Sequence, residues 1–359
     1  MKLSEKNYKR IVIKIGSSLF LSAENKLNSG ILEGISRQVT TAIGDGKEII
    51  IVSSGAIALG MQVLGLSQRP KTLSGLQAAA AIGQNELMNA YRRFFSKGFF
   101  NAQILLTWDD FNDRGRYKNA RNTLCTLLGL RSNSVRAIVP IINENDTVST
   151  EEIRFGDNDR LSALVACLIS ADLLIILSDV EGLLDKDNKV IPVVCDITAE
   201  IKSLACPTDK KTCVGGMVTK IEAAKIAVDS GIPCVIADGR QRDIILSVIK
   251  EPEKHGTLFL PRRALAERER WIAFGTKPRG KVIVDDGAKK ALMDKKSLLS
   301  VGVIGIKNIF EPGDIVSVVD KQGNEFGRGK VGLSSKKLEE VKGGRFDKEI
   351  IHRDNIVIL

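Results

Sequence analysis

Apolar and polar positions along the first 260 residues or so fall into two alternating patterns. Short, β-branched apolar runs predict buried strands, and longer stretches with one apolar face predict amphipathic helices. The predicted strands cover residues 10–15, 48–52, 103–107, 137–142, 173–177, 190–194 and 233–237. The predicted helices cover residues 31–43, 57–64, 75–95, 161–169, 221–230 and 244–250, and a polar segment over 112–121 leads into another helix that ends near Gly129. Alternating strands and helices indicate βαβ units, so we expect an α/β domain with a mostly parallel central sheet between layers of helices.

The pattern changes after Gly280. Short strand-like runs at 282–284, 301–306, 315–319, 350–351 and 356–358 are separated by turn sequences such as Glu-Pro-Gly-Asp and Gln-Gly-Asn. Runs of this kind predict a small β-rich domain. We therefore expect an α/β domain over 1–262, a charged linker over 263–279 and a β-rich domain over 280–359.

Composition describes an ordinary soluble protein and excludes several classes. The chain has 359 residues, of which 43% are apolar and 27% charged, and no apolar run approaches the roughly 18 residues that span a bilayer. Lys14 and Gly16 interrupt the one N-terminal stretch that could imitate a signal peptide. Six cysteines without a CxxC pair suit a reducing, cytoplasmic setting, and two histidines make a histidine base or a multi-histidine metal site improbable. We expect no protein-held metal and no membrane contact.

The chain is basic, and the excess is concentrated at its C-terminal end. The net charge is +10, and residues 277–359 carry 17 Lys and Arg against 12 Asp and Glu, which is half of that excess. A polyanion such as RNA could bind this end, but a solvated basic surface explains the charge equally simply.

The richest candidate for chemistry is the stretch 137–166. An apolar strand ends in Asn143 and Asp146, and Asp157, Asn158 and Asp159 precede the next apolar helix. Open α/β sheets bind their ligands where strands end and polar loops lead into helices. A surface turn with an Asn or Asp helix cap remains the alternative for one of these residues, but it does not account for the whole cluster.

Three further segments are suited to anions. Lys14 ends the first strand beside Gly16, residues 53–56 (Ser-Ser-Gly-Ala) lie between a strand and a helix, and residues 215–220 (Gly-Gly-Met-Val-Thr-Lys) lead into a helix. Backbone N–H groups at a helix start, together with a lysine, bind phosphate or carboxylate groups. Residues 215–220 do not form a Walker loop, because the motif GxxxxGK[ST] is absent from the sequence.

Together these motifs resemble the amino-acid kinase family, and within it the members that phosphorylate glutamate. The resemblance covers nearly the whole chain, and the C-terminal part resembles a PUA domain. The motifs that carry it are IVIKIGSS at 11–18, IVSSGAIALG at 51–60, PIINEND at 140–146, FGDNDRLSALVA at 155–166, LSDVEGL at 177–183, GGMVTK at 215–220, GKVIVDDGA at 280–288 and FEPGDIV at 310–316.

The resemblance implies an activity and a set of site residues. The activity is ATP-dependent phosphorylation of the γ-carboxylate of L-glutamate to L-glutamyl 5-phosphate, the first step of proline biosynthesis, with Mg²⁺ on the phosphates. The implied catalytic residues are Lys14, Lys220 and Asp159. The implied glutamate site is Ser54, Gly55, Ala56, Asn143, Asp146, Asp157 and Asn158. The implied ATP site is Lys14, Ser178, Asp179, Val214, Gly215, Gly216, Met217, Val218, Thr219 and Lys220.

The sequence departs from the family pattern in one loop. The loop that usually reads Gly-Thr-Gly-Gly-Met is Cys213-Val214-Gly215-Gly216-Met217 here, so a hydroxyl contact to the nucleotide is lost while backbone contacts can persist. The lack of a candidate base agrees with the implied chemistry, because the side chain of glutamate has a pKa near 4.3 and is already ionised at neutral pH.

Two alternatives stay open at this stage. The chain could be another carboxylate or phosphate kinase of the same fold, or an RNA-binding protein whose kinase half is vestigial. The resemblance further implies proline as a feedback inhibitor and a homodimer or homotetramer, with RNA as a possible partner of the C-terminal domain.

Overall fold

A computed structural model describes residues 7–20, 27–132, 134–148, 158–205, 216–261 and 265–359. The chain divides into two compact units. The first contains Met1–Asp110 and Gly115–Ala264, and the second contains Phe111–Arg114 and Leu265–Leu359.

The first unit alternates strands and helices along the chain. Its strands are β1 (Arg10–Ile15), β2 (Glu48–Ser53), β3 (Phe99–Leu106), β4 (Ala137–Glu144), β5 (Leu173–Ser178), β6 (Val193–Val194), β7 (Cys234–Asp238) and β8 (Thr257–Phe259). The α-helices up to this point are α1 (Ser17–Phe20), α2 (Ser29–Gly44), α3 (Ala56–Val63), α4 (Leu73–Phe94), α5 (Trp108–Asn112), α6 (Arg114–Gly129), α7 (Asn158–Leu168), α8 (Ala199–Leu204), α9 (Met217–Asp229) and α10 (Ile244–Lys250), and a 3₁₀ turn covers Pro252–Lys254.

Within the described residues these strands form one sheet in the order β3-β4-β2-β1-β5-β7-β8-β6. Its pairs are parallel except for β7 with β8. The central strands β1 and β5 are buried over nearly their whole length, as a parallel sheet covered by helices on both faces requires. The predicted mostly parallel α/β fold is therefore confirmed.

Helices α3 and α4 lie so close together that two glycines are required between them. A Cβ atom on Gly60 would lie 1.7 Å from the carbonyl oxygen of Ala79, and one on Gly83 would lie 1.8 Å from that of Ala56. Neither clash can be relieved by a rotamer change, because both involve backbone atoms. This close packing determines where the N-terminus of α3 lies on the sheet.

Several helices begin earlier than the sequence predicted, and the difference is largest for α7 and α9. Helix α7 begins at Asn158 instead of residue 161, and α9 begins at Met217 instead of residue 221. The first turn of a helix tolerates polar and charged side chains, so apolar periodicity does not mark it. As a result Asn158, Asp159 and Lys220 lie on helices instead of on the loops in which they were expected.

The second unit contains a five-stranded sheet in the order β10-β9-β11-β12-β13. Its pairs are antiparallel except for β9 with β11. The strands are β9 (Gly280–Val284), β10 (Val303–Lys307), β11 (Ile315–Val319), β12 (Glu325–Lys330) and β13 (Ile356–Ile358). The helices are α11 (Glu267–Arg270), a π-helical turn (Trp271–Gly275), α12 (Asp286–Met293) and α13 (Ser335–Val341), with 3₁₀ turns at Ser300–Gly302 and Arg353–Asn355.

The β-rich C-terminal domain is confirmed in class, although its strands differ in detail. Sequence reasoning missed β12, whose two glycines and charged residues hide its alternation. The predicted strand at 350–351 is only an isolated bridge between Ile351 and Leu298. Phe310, Val316 and Val318 contribute to the unit's own hydrophobic core.

Across the described residues, no helix has both the length and the apolar character needed to cross a membrane.

Candidate active site

The candidate residues collect at the carboxyl edge of the first unit's parallel sheet. In the sheet register Ile15 lies beside both Ser53 and Leu177, and Ser178 lies beside Asp238. The strand that carries Asn143 pairs with β2 through Ile142 and Val52. Strand β1 is thus central, with the predicted glutamate residues on the side of β2 and β4 and the predicted nucleotide residues on the side of β5.

Two lysines that are distant in sequence converge on one carboxylate. Lys14 Nζ lies 2.5 Å from Asp159 Oδ1, and Lys220 Nζ lies 3.3 Å from Asp159 Oδ2. Thr219 Oγ1 also donates to Asp159 Oδ2, at 2.8 Å. The carboxylate therefore holds both ammonium groups on the same edge of the sheet.

This cluster is almost closed to solvent. The exposed fractions of Lys14, Asp159 and Lys220 are 6%, 5% and 7%. Burial raises the pKa of Asp159, but attraction to Lys14 and Lys220 and hydrogen bonds from Lys14 and Thr219 outweigh it, so its pKa lies below the usual value. Asp159 is therefore ionised at neutral pH, and it lies between two lysines in a site that is largely shielded from solvent.

Helix starts place two members of the cluster. Asp159 lies in the first turn of α7, where a negative charge is favoured by the unpaired N–H groups of the helix. Lys220 lies in the first turn of α9, whose N-cap residue Gly216 has φ of +82°. Lys220 Nζ also donates to the carbonyl oxygen of Gly216, at 3.3 Å. Gly216 thus both caps the helix and holds the lysine.

The Ser-Ser-Gly-Ala segment forms a turn between β2 and α3. Gly55 has φ of +108°, which only glycine adopts without strain. Ser54 donates its backbone N–H to Ile15 O, and its hydroxyl oxygen accepts from Asn158 Nδ2 at 2.8 Å. Ala56 is buried as the first residue of α3.

Buried amides join the predicted glutamate residues. Asn158 Nδ2 donates to Asn143 Oδ1 at 3.0 Å, and Asn143 Nδ2 donates to Gln84 Oε1 at 2.9 Å. Sequence reasoning missed Gln84, which lies 59 residues before Asn143 on α4. A single glutamine within a helix belongs to no recognisable motif, so the sequence offered little indication of its role. Tyr91, also on α4, donates to Ser53 Oγ at 3.0 Å.

Asp146 lies just beyond β4 and behaves unlike Asp159. Burial raises its pKa to about 6, and the positive charge of Arg69 offsets only part of that rise. Among the described residues, the charge of Arg69 therefore only partly stabilises the ionised form of Asp146.

The β5 side of the edge carries acidic groups and one arginine. Ser178 Oγ donates to Asp179 Oδ1 at 3.0 Å. Arg240 donates from Nε to Asp238 Oδ1 at 2.8 Å and from Nη2 to the carbonyl oxygen of Asp179 at 2.7 Å. Burial raises the pKa of Asp238, but the hydrogen bonds and charge of Arg240 bring it below the usual value. Sequence reasoning missed Asp238 and Arg240, although both immediately follow a predicted strand.

The remaining predicted residues have these places. Met217, Val218 and Thr219 form the first turn of α9 and are half-buried. Asp157, Val214 and Gly215 lie outside the described residues. In the part of the chain that is described, no group of three or more His, Cys, Asp or Glu side chains could hold a metal ion.

Known proteins match both units. The model of the amino acid kinase family matches residues 9–238, and that of the PUA domain matches residues 280–352. The chain is 45% identical to glutamate 5-kinase from Caldanaerobacter subterraneus subsp. tengcongensis and 44% identical to glutamate 5-kinase from a Thermoanaerobacter species, with 98% of each chain covered in both comparisons. It is 43% identical to glutamate 5-kinase from Moorella thermoacetica, over all of this chain and 98% of that one. The chain therefore belongs to the amino acid kinase family, within its glutamate 5-kinases, and carries a PUA domain.

Proposed function

We propose that this protein transfers the γ-phosphoryl group of ATP to the γ-carboxylate of L-glutamate, giving L-glutamyl 5-phosphate and ADP. The reaction is the first step of proline biosynthesis. The observation that carries the proposal is the joining of Lys14 and Lys220 through Asp159 at the carboxyl edge of the sheet. The relatives' names and their coverage of both chains support the choice of glutamate as acceptor.

The cluster suits a reaction between two anions. A carboxylate oxygen of glutamate attacks the γ-phosphorus, the bond from that phosphorus to the β,γ-bridging oxygen breaks, and ADP leaves with the electron pair. Because the attacking carboxylate is already ionised, no side chain has to remove a proton. What the protein supplies is placement and charge neutralisation, which are the main sources of rate in phosphoryl transfer.

Each member of the cluster has a distinct role in this proposal. Lys14, on the central strand, and Lys220, on α9, neutralise the transferring phosphoryl group. Asp159 positions both ammonium groups and does not react. Its pKa, lowered by those same lysines, keeps it ionised across the physiological range.

The β5 side of the edge suits the nucleotide. We assign ATP to Lys14, Ser178, Asp179, Val214, Gly215, Gly216, Met217, Val218, Thr219 and Lys220. Helix α9 begins at this point with backbone N–H groups, which favour phosphate. Mg²⁺ enters as part of the MgATP substrate, bound to phosphate oxygens, and no metal site made by the protein alone is invoked.

The β2 and β4 side suits the amino-acid acceptor. We assign glutamate to Ser54, Gly55, Ala56, Asn143, Asp146, Asp157 and Asn158. The ammonium group of glutamate is a cation and requires a carboxylate, for which Asp146 is suited because Arg69 offsets only part of the effect of burial on its charge. The start of α3 offers N–H groups for the α-carboxylate.

Several finer expectations rest on the family resemblance alone. We propose a kinase domain over 1–262, a linker over 263–279 and a PUA-like domain over 280–359, in a cytoplasmic homodimer or homotetramer that proline inhibits. RNA binding by the C-terminal domain is a second candidate function, supported by the excess of Lys and Arg over residues 277–359.

A hydroxamate-trapping assay tests the principal proposal. The protein receives MgATP with glutamate, aspartate or N-acetylglutamate, and hydroxylamine traps the acyl phosphate. We expect glutamate to yield hydroxamate at least about tenfold faster than either competitor, since the rivals each misplace or lack a recognised charge. Equal rates with all three acceptors, or none with glutamate, would contradict the proposal.

An RNA-shift titration of the full chain tests the second candidate. Binding that weakens steeply as salt rises would support it, because phosphate contacts release counterions. Lys→Glu changes at exposed lysines of the second unit should then abolish the shift without changing hydroxamate formation.

A further inference from the structure

Two buried polar atoms at the predicted glutamate side have no hydrogen-bond partner among the residues that the structure describes. They are Gln84 Nε2 and Asn158 Oδ1. The exposed fractions of their residues are 8% and 7%. Because nearly all buried polar groups in proteins are paired, two such atoms at opposite ends of one hydrogen-bonded series require an explanation.

Backbone groups establish which end of each amide is oxygen and which is nitrogen. The N–H of Glu144 donates to Asn143 Oδ1 at 2.9 Å, so that atom must be the acceptor. Asn143 therefore turns its nitrogen to Gln84, whose oxygen must accept. The unpartnered atom of Gln84 is consequently a donor, and this does not depend on how the amides were assigned.

The same argument applies at the other end. The carbonyl oxygen of Ser53 and Asn143 Oδ1 can only accept, and both face Asn158 Nδ2, at 3.3 Å and 3.0 Å. Asn158 thus keeps its oxygen unpartnered. We call Gln84, Asn143 and Asn158 the amide series, which runs in one direction from an unpartnered donor to an unpartnered acceptor.

We propose that Gln84 is a positioning residue for the amino-acid acceptor, acting through Asn143 on Asn158. Both polar atoms of the Asn143 side chain are hydrogen-bonded within the protein, Nδ2 to Gln84 and Oδ1 to Glu144 N and Asn158, which suits a role in orientation. Asn158 is left with an acceptor oxygen, and the only hydrogen-bond donor on glutamate at neutral pH is its ammonium group. The inference rests on the proposed function, since it assumes that the acceptor is an amino acid.

The geometry explains why such a residue would affect function more than stability. Replacing Gln84 by Met removes one unpartnered buried donor but leaves Asn143 Nδ2 without its acceptor. One unsatisfied group is exchanged for another, so the folded protein should change little in stability. The orientation of Asn143, however, loses one of its three supports.

Steady-state kinetics of Gln84→Met test the proposal. We expect the KM for glutamate to rise about tenfold, the size of one lost orienting hydrogen bond, with kcat and the KM for ATP within about twofold of the parent protein. Gln84→Glu retains an oxygen for Asn143 and should recover most of the loss. Asn85→Met is the matched control, because Asn85 is an exposed amide on the same helix, and it should change neither KM.

A double-mutant cycle separates action through Asn143 from an independent effect. If Gln84 acts through Asn143, then Gln84→Met should add nothing to the defect of Asn143→Ala, whereas independent effects would multiply. Multiplying effects, an unchanged KM for glutamate, no recovery with Gln84→Glu, or equal losses for glutamate and ATP would each overturn the proposal. Failure of the parent protein to phosphorylate glutamate would instead overturn the proposed function.

Discussion

Two carboxylates of the candidate site, one buried and one half-buried, have pKa values displaced in opposite directions. Asp159 lies among two ammonium groups and a hydroxyl, and its pKa is below the usual value. Asp146 lies less than fifteen residues earlier in the chain, and burial raises its pKa to about 6. Neighbouring positive charges thus outweigh the effect of burial on the pKa at Asp159, whereas at Asp146 they do not.

The two aspartates differ in how much positive charge surrounds each of them. Asp159 has its cations already and keeps them oriented, so it needs nothing further from a substrate. The charge of Arg69 offsets only part of the effect of burial on Asp146, and a cationic group beside it would stabilise its ionised form. These different surroundings agree with the proposed roles, in which Asp159 positions two lysines and Asp146 binds the ammonium group of glutamate.

The largest effect is expected when one of the two lysines beside Asp159 is replaced. Lys14→Met and Lys220→Met should each lower kcat by about 10²–10³-fold, because each removes a preorganised charge at the transferring phosphoryl group. Hydroxamate formation with saturating glutamate and ATP measures this loss. Lys9→Met is the control, since Lys9 is 70% exposed and its pair with Glu48 spans 3.9 Å. A loss below about tenfold in both variants would refute the central role of the cluster.

Replacing Asp146 by a neutral residue should raise the free energy of unfolding and weaken the binding of glutamate. At pH 8, Asp146→Asn should stabilise the fold by about 2 kcal/mol, because it removes a carboxylate that folding makes harder to ionise. The sign follows from the raised pKa. This group's stabilising contribution is complete below its unfolded pKa and is lost as pH rises through about 6.

Chemical unfolding at two pH values checks that prediction. At pH 8 the variant should be the more stable protein, and near pH 4 the two proteins should be alike, since Asp146 is then protonated in the fold. Its KM for glutamate should rise at pH 8. A variant that is less stable at pH 8 would show that the carboxylate is already compensated.

The pH dependence of glutamate binding sharpens the comparison further. kcat/KM for glutamate should be level above about pH 7 and fall as pH drops through about 6, approaching tenfold per unit, as Asp146 becomes protonated. kcat should not follow this profile, because the lowered pKa of Asp159 keeps the lysine cluster ionised over the same range. Asp146→Asn should abolish the fall. A profile that it leaves unchanged would assign the titration to another group.

The smallest effect is expected on the nucleotide side. Arg240→Met should raise the KM for ATP by about two- to fivefold and leave that for glutamate unchanged, because its pair with Asp238 is largely solvent-exposed on the arginine side. Arg242→Met is the matched control, as that arginine is 88% exposed. A larger effect on glutamate than on ATP would place Arg240 on the wrong side of the site.

Sequence reasoning predicted the longer strands and helices of the first unit because their apolar runs are strongly patterned, but it missed the short elements β8, α8, α12 and α13. It predicted the parallel sheet and the separate β-rich domain, and it named Lys14, Asp159 and Lys220 through a resemblance of motifs. It misplaced the starts of α7 and α9, because polar first turns carry no apolar period. It also missed β12, whose glycines obscure the alternation of a strand.

The sequence by itself determined the fold class, the family and the kinds of group available for chemistry, because these depend on local pattern and on residue identity. Only the tertiary structure decided that Gln84 meets Asn143 across 59 residues of chain. It also decided that positive charges lower the pKa of Asp159 below its usual value, whereas burial raises that of Asp146. The physical reason is that Coulomb attraction, desolvation and hydrogen bonding depend on distances in space, and neighbouring positions in sequence leave those distances undetermined.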